Sequence, residues 1–373
     1  MNLTKDCAEK SFAQELDQIK FLQELKGNTE WFRAFTRELK IIGPSEAVIK
    51  NAVDEETAIH GENLFIYAND EVYPLGDTAL TTLYSRAGIS GPGIRQLYTN
   101  DKDKLANVLS LMLSERKGES LLLLENGKVR AVHGGDKSDY SILPLHELFK
   151  ATRDELEEYD NVEFIEGFWS HSSLMAKWDI DDQDIKDAYI EMYDELFIPI
   201  DEDSIKTSVT LTSSDTGSSC AGLWYTVESQ YEQSRQKLVL GSGPSLEHRR
   251  GKTIYDFKEI IKEVFAGYRK NFEKLNELKD VTIKYPTGFI YNMAKACDLP
   301  AVLYSKAAES FVEEFGLGET NGFTIYAFGL CKILELAEAA KATPRDMLMY
   351  QEKIARALQK KFTTYDKEVV IKK

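Results

Sequence analysis

Hydrophobic positions recur with a helical period through the last third of the chain. Residues 253–279 keep one apolar stripe that includes Phe257, Ile261 and Leu275, with lysines and glutamates on the other faces. This spacing predicts a long amphipathic helix. The same period continues at 287–297, at 301–315, at 323–340 and from Thr343-Pro344 to about residue 361. The C-terminal third is therefore predicted to be mainly helical.

The strongest local signal is a hairpin at residues 120–134. Strand-favouring residues at 121–124 and 128–133 flank Asn126-Gly127, a pair that readily takes the positive φ angles of a two-residue turn. Strand patterns also cover 63–73, 161–169, 172–178, 205–211 and 220–227. We therefore predict an α+β fold in which a central antiparallel sheet is built from hairpins.

At the N-terminus the spacing predicts a pair of helices. The first covers residues 4–26 and ends at Gly27, and the second begins at Asn28 or Thr29 and ends at Gly43-Pro44. Such a pair is typical of a packing or oligomerisation arm, so a homo-oligomer is among the expected assemblies. The predicted regions are a helical N-terminal arm at 1–60, an α+β core at 61–252 and a helical C-terminal region at 253–373 packed on that core.

The formal charge of −16 comes from 62 acidic and 46 basic residues. Such a balance repels DNA and anionic lipid at long range. The distribution is uneven, because residues 151–204 hold eighteen acidic side chains against three basic ones, whereas 245–290 hold ten basic against seven acidic. We call residues 151–204 the acidic belt. Its existence leaves room for a local basic face elsewhere on the molecule.

The four cysteines show no paired spacing, which fits reduced thiols and disfavours a disulfide framework or a zinc site. The apolar runs are too short to span a bilayer, and the charged first ten residues do not resemble a secretory signal. We therefore expect a protein of the bacterial cytoplasm that has no membrane partner.

No established catalytic motif is present. The sequence lacks the Gly-X-Ser-X-Gly elbow, His-Glu-X-X-His, a phosphate-binding Walker loop and a dinucleotide fingerprint. The acidic run that begins at Asp179 fails as an EF-hand loop, because Asp184 replaces the required glycine and Ile190 stands at the twelfth position. We predict no catalytic residues, no metal and no cofactor, and a binding protein is favoured over an enzyme.

Residues 72–152 resemble a phage- and plasmid-associated family that is known as domain of unknown function 932. The matching pieces are Leu75–Leu83, Gly88-Ile89-Ser90, Lys128–Val132 and Ser138-Asp139-Tyr140. A weaker likeness continues at 213–217, at 248–251 and in the following helix, so that about two thirds of the chain is covered. The family's Cys-Asn pair is missing between residues 220 and 242. The resemblance implies a mobile-element context and no established reaction.

A face for nucleic acid needs basic side chains for the phosphates and aromatic rings on which bases stack. The sequence offers such groups near the hairpin and before the long helix: Arg130, His133, Tyr140, His248, Arg249, Arg250 and Lys252. Each taken alone fits an ordinary solvated or ion-paired residue equally well, but together they coincide with positions of the family resemblance. Our leading hypothesis is a phage or mobile-element protein that binds single-stranded DNA, as annealing proteins do in replication or recombination.

Two other functions are compatible with the sequence. In the first, an acidic inhibitor or interaction protein engages a host protein through the acidic belt, where Asp181, Asp182 and Asp184 imitate the charge of DNA. In the second, residues 80–98 form a helix-turn-helix regulator whose Arg95 and Gln96 face a DNA groove. Two short helices packed on a sheet are the simpler interpretation of 80–98, because glycines flank Pro92 where a recognition helix would begin.

Overall fold

The computed structural model describes residues 5–49, 64–157, 159, 161–231 and 234–369. The end of the predicted N-terminal arm, residues 50–60, lies outside this described part. The elements of the first half are β1 (Glu9–Phe12), α1 (Glu15–Gly27), β2 (Thr29–Phe35), β3 (Lys40–Ile42), α2 (Pro44–Ile49), β4 (Phe65–Ala68), β5 (Glu71–Pro74), α3 (Asp77–Ala87), α4 (Pro92–Asn100), α5 (Lys102–Ser114), β6 (Glu119–Glu125), β7 (Lys128–Gly134), α6 (Leu145–Leu156), β8 (Glu163–Ser170) and β9 (Ser173–Ile180).

The second half continues with α7 (Gln183–Glu195), β10 (Asp201–Ser213), β11 (Ala221–Tyr231), β12 (Ser234–Leu246), α8 (Ile254–Glu277), β13 (Thr282–Ile283), α9 (Pro286–Ala296), α10 (Ala301–Phe315), β14 (Thr320–Asn321), α11 (Lys332–Ala339) and α12 (Pro344–Ala357). A π-helical segment, Ile325–Leu330, precedes α11. The α+β class and the mainly helical C-terminal third are thus confirmed. Among the described residues, no helix combines the length and the apolar character needed to cross a bilayer.

A six-stranded antiparallel sheet in the order β1-β8-β9-β10-β11-β12 supports the larger core. In one row across three strands, Val209 is paired with Trp178 on β9 and with Tyr225 on β11, and all three are buried. The long helix α8 covers this sheet, and Tyr268 on it donates a hydrogen bond of 2.7 Å to the carbonyl of Leu223. Burial of one sheet face beneath an amphipathic helix is the expected way to remove both apolar surfaces from water.

A second hydrophobic core surrounds the three-stranded sheet β2-β6-β7. Helices α3 and α5 pack there, with Leu83 and Leu109 fully buried against Leu122 and Val129. The amide of Gly76 donates a 2.9 Å hydrogen bond to the carbonyl of Val129, which ties the start of α3 to β7. This second core joins residues from both sides of position 60, and the domain boundaries at 60 and 252 remain predictions.

The prediction of a second N-terminal helix, after Gly27, is wrong. Its first half is strand β2, which pairs antiparallel with β6 from Thr29 opposite Glu125 to Phe35 opposite Glu119. Aromatic and β-branched residues fit a pleated surface well. Pairing with the hairpin therefore favours the strand over the helix that the same hydrophobic spacing allows. Residues 9–12, which were predicted as helix, form the edge strand β1, and the predicted loop 241–244 lies within β12.

The hairpin that anchors the sequence prediction is confirmed. Its turn residues have positive φ, 49° at Asn126 and 78° at Gly127, as a tight two-residue connection requires. Helix α5 begins directly after Asp101, whose side chain accepts a 3.0 Å hydrogen bond from the amide of Lys104. Local turn and cap chemistry is therefore decisive at these two places.

Candidate functional site

Four rings from four segments meet between the two cores. His133 on β7 stacks on Tyr140 with ring centres 3.9 Å apart and an angle of 6°. His248, which follows β12, stacks on the same tyrosine at 5.5 Å, and Trp31 of β2 lies 5.2 Å from it. We call Trp31, His133, Tyr140 and His248 the ring stack. The Tyr140 hydroxyl donates to the carbonyl of Asp215 at 2.7 Å, so the Ser/Thr-rich loop after β10 is held here as well.

The ring stack is an interior, uncharged feature. Burial lowers the pKa of His133 and the pKa of His248 to about 4 each, so both imidazoles are neutral at neutral pH. Tyr140 and His248 are 6% and 5% exposed, which leaves no ring face open for a nucleobase. Tyr140 and His248 therefore hold loops in place behind the surface, whereas His133 is half-buried and lines a cavity. Contact of these residues with nucleic acid remains a prediction.

Arg130 is likewise not a surface residue. Its side chain is fully buried, where it contacts the carboxylate of Asp6 and lies 4.0 Å from that of Glu125. His171 Nδ1 is 2.7 Å from the same Glu125 carboxylate. A Cβ at Gly76 would lie 2.7 Å from the Arg130 guanidinium, so only glycine fits there. A buried guanidinium needs such partners to offset its desolvation, and Arg130 therefore joins the N-terminal segment to the hairpin instead of binding phosphate.

The remaining predicted basic residues are exposed and lie on one loop. Arg249, Arg250 and Lys252 follow β12, and a second loop runs beside them. The amide of Arg250 donates to the carbonyl of Ser138 at 3.3 Å, and the amide of Gly251 donates to the carbonyl of Lys137 at 2.8 Å. These bonds bring a further lysine, which sequence reasoning missed, beside the predicted three. We call Lys137, Arg249, Arg250 and Lys252 the basic edge.

An aromatic residue accompanies the basic edge. Tyr255, in the first turn of α8, is 76% exposed, whereas Phe257 in the apolar stripe of the same helix is fully buried. The start of α8 is fixed by a capping box, in which Thr253 and Asp256 satisfy each other's backbone amides. Lys252 forms a 3.1 Å ion pair with the same Asp256. The edge thus combines cations with one solvent-facing ring.

Two adjoining cavities open beside the ring stack. The first, of about 560 Å³, is lined on its charged sides by Arg86, Arg116, Arg249 and Asp139. The second, of about 950 Å³, shares Thr81, Thr82 and Gly217 with the first. Its charged lining residues are Asp6, Glu9, Asp77, Arg345 and Asp346. The two cavities therefore have opposite charge, and neither was predicted, because residues distant in sequence form each wall.

Asp215 stands out among the carboxyl groups. Part of the residue is accessible, but the protein encloses its carboxyl so closely that burial, together with the charge of Glu125, raises its pKa to about 8. A pocket of about 240 Å³ lies against it, lined mainly by apolar side chains such as Leu22, Leu25 and Trp31. At neutral pH this carboxyl is therefore mostly protonated. The sequence indicated only a polar connection here.

In the acidic belt, the candidate residues Asp181 and Asp182 are bonded to neighbouring groups of the fold. Asp181 pairs with Lys186 at 2.6 Å, and this lysine lowers the pKa of its carboxyl. Asp182 accepts from the amide of Ile185 at 3.2 Å and from the Tyr225 hydroxyl at 2.9 Å, so it caps α7. Asp184 lies exposed in the first turn of that helix. The solvated helix start expected from the sequence is confirmed.

Residues 80–98 form α3 and α4, separated by Gly88 in the left-handed region with a φ of 72°. Arg95 and Gln96 are exposed, and α3 packs on the hairpin strand β7. A regulatory role for this pair of helices remains a prediction.

Across the described part of the chain, no three His, Cys, Asp or Glu side chains lie close enough together to hold a metal ion. The site is therefore defined by its rings, its arginines and its hydrogen bonds.

No protein-family model, no curated protein and no solved structure matches this chain, and the likeness to family 932 stays a prediction.

Proposed function

We propose that this chain binds nucleic acid, with single-stranded DNA held along the basic edge. The observation that supports the proposal best is the pair of backbone hydrogen bonds between the loops at 137–138 and 250–251. They place four cationic residues side by side at the surface, next to the exposed ring of Tyr255. Cations that track a backbone and a ring that stacks on a base are the usual requirements for sequence-tolerant binding of single strands.

The charges of the basic edge are available to a ligand. In the described part of the chain, Lys252 has a carboxylate partner, whereas Lys137, Arg249 and Arg250 have none within ion-pairing distance. In a chain with a formal charge of −16, such uncompensated cations produce a local field opposite to that of the whole molecule. Each phosphate contact that these cations make adds about 0.7 to the log–log salt slope of binding, so the slope measures how many contacts form.

The biological setting is part of the proposal. The likeness to family 932 favours a phage or mobile-element protein that acts on DNA in replication or recombination, in the cytoplasm of a bacterial host. The alternative is an interaction protein that uses the acidic belt, and the third candidate is a regulator that uses Arg95 and Gln96. These functions differ in which charges they require, so charge variants distinguish them.

The first test measures anisotropy of a fluorescent single-stranded oligonucleotide, and of the matching duplex, over a salt series. The double variant Arg249→Gln, Arg250→Gln is expected to bind the single strand about tenfold or more weakly. Its salt dependence should become shallower by about 1.4 units of log–log slope, because each of the two lost phosphate contacts removes about 0.7. The matched control is Arg37→Gln, Arg356→Gln, which removes two exposed arginines elsewhere. Absence of binding at low salt, or equal losses in both variants, would overturn the proposal.

A further inference from the structure

We infer that the cavity between α3, the end of α5 and the basic edge binds a phosphate monoester, either the terminal phosphate of a strand or that of a free nucleotide. For a strand the inference rests on the proposed function, because the rest of that strand would lie along the basic edge. The cavity volume of about 560 Å³ is in the range of small-molecule sites. It has room for a phosphate with an attached nucleoside.

Hydrogen-bond donors line several walls of this cavity. Helix α3 contributes Thr81, Ser85 and Arg86. Arg116, two residues after the end of α5, adds a further guanidinium. The opposite side is formed by the loop beside the basic edge and by Arg249. Three guanidinium groups and several hydroxyls around one space form a typical environment for a phosphate, since arginine presents paired donors that match its oxygens.

Two of these arginines are held in fixed orientations by neutral acceptors. Arg86 donates through Nη2 to the Thr36 hydroxyl at 2.6 Å and to the carbonyl of Glu119 at 2.9 Å. Arg116 donates through Nη2 to the carbonyl of Ala87 at 2.9 Å, and its guanidinium lies directly over Gly88, where a Cβ would collide with it. Side chains that are already ordered lose little entropy when a ligand binds.

The positive charge of these side chains is not neutralised locally. In the described part of the chain, no carboxylate lies within ion-pairing distance of Arg86, Arg116 or Arg249, and Asp139 is the one carboxylate that lines the cavity. Burial lowers the pKa of Arg86; the charges of Asp139 and Asp136 oppose this shift, and the nearby Arg116 adds to it. Two positive charges that are held close together and partly removed from water raise the free energy of the empty cavity. A dianionic ligand would lower that free energy.

The negative charge of the neighbouring cavity indicates why a bound strand should end with its phosphate in the first cavity. It begins at Thr81, Thr82 and Gly217, but four carboxylates and one arginine line it farther on. A phosphodiester chain that passed from the first cavity into the second would meet repulsion at each phosphate. A terminal phosphate that enters from the basic edge, beside Arg249, meets three arginines and a single carboxylate, that of Asp139, along the lining of the first cavity. The charge pattern therefore favours a monoester over a continuous strand.

The test compares oligonucleotides of one sequence with a 5′-phosphate, a 3′-phosphate or hydroxyls at both ends, and uses a nucleoside monophosphate and inorganic phosphate as competitors. A phosphate at one end is expected to strengthen binding about tenfold, as an additional set of charge-assisted contacts should. Arg116→Gln should abolish this preference. Because Arg116 also caps α3, a second variant, Ser85→Glu, puts a negative charge at an exposed helical position on the cavity wall. Thr99→Glu, at an exposed position of α4, is the matched control.

The possible results separate this inference from the proposed function. A terminal-phosphate preference that Ser85→Glu removes and Thr99→Glu retains supports a strand end as the ligand. Binding of the monophosphate alone, lost in both cavity variants, supports a free nucleotide and counts against strand binding. Equal affinity for all three oligonucleotides, with no competition by monophosphate, overturns the inference and leaves the basic-edge proposal intact.

Discussion

Arg130 and Arg249 show how residues of one type acquire opposite roles. Both are basic residues near matching pieces of one family resemblance, yet Arg130 is fully buried against Asp6 and Glu125, while Arg249 lies exposed on a loop. The sequence around Arg130 alternates as a strand, and alternation alone does not show that both faces of β7 are covered. Tyr140 and His248 do meet in the structure, but they and Arg130 are buried, so the expectation of one shared surface fails for these three residues.

Asp215 gives a pH-dependent prediction at the same scale. Its folded-state pKa of about 8 lies above the ordinary value of about 3.9 for an unfolded chain. As the pH rises through this interval, the unfolded chain releases a proton that the folded protein retains. The free energy of unfolding should therefore fall between about pH 4 and about pH 8, by up to about 1.4 kcal/mol per pH unit from this group.

The variant Asp215→Asn should lack this contribution. Urea unfolding of both proteins at several pH values between 5 and 8 is the measurement, and the difference between their free energies should grow in favour of the variant as the pH rises. Comparison with the variant cancels the other titrating groups, including the histidines, whose lowered pKa values act below about pH 6.5. Parallel curves for the two proteins would show that the carboxyl is not desolvated in solution.

Elements with their own turn or cap chemistry were predictable, and elements that depend on a distant partner were not. The hairpin at Asn126-Gly127 and helix α8 follow from local signals. Strand β2 does not, because its aromatic residues also fit a helical period and its pairing partner β6 lies about ninety residues away. The cavities were unpredictable for the same reason, since each is assembled from several elements.

The connection between the two loops of the basic edge is testable without any change of charge. Gly251 has a φ of 68°, in the left-handed region that β-branched residues avoid. Gly251→Val should strain this turn by about 1–2 kcal/mol and separate Arg250 from Ser138. We expect single-strand affinity to fall several-fold while the folded state persists, which circular dichroism would verify. Gly318→Val is the control, because Gly318 has open space around it and no positive φ. Unchanged affinity in Gly251→Val would mean that the hydrogen bonds between the loops do not organise the binding surface.

At the scale of the whole molecule, the acidic belt and the basic edge carry opposite charge within one strongly acidic chain. If the edge binds DNA, the belt contributes only through its long-range field, which salt screens beyond about 8 Å at 0.15 M. Asp181→Asn with Asp184→Asn removes two exposed negative charges and leaves the cap residue Asp182 in place. Single-strand affinity should then rise by no more than about twofold at low salt and stay constant at 0.15 M. The same anisotropy assay compares this variant with the arginine double variant. A loss of DNA binding on neutralising the belt would contradict the edge as the binding surface, since removal of negative charge can only weaken repulsion of a polyanion.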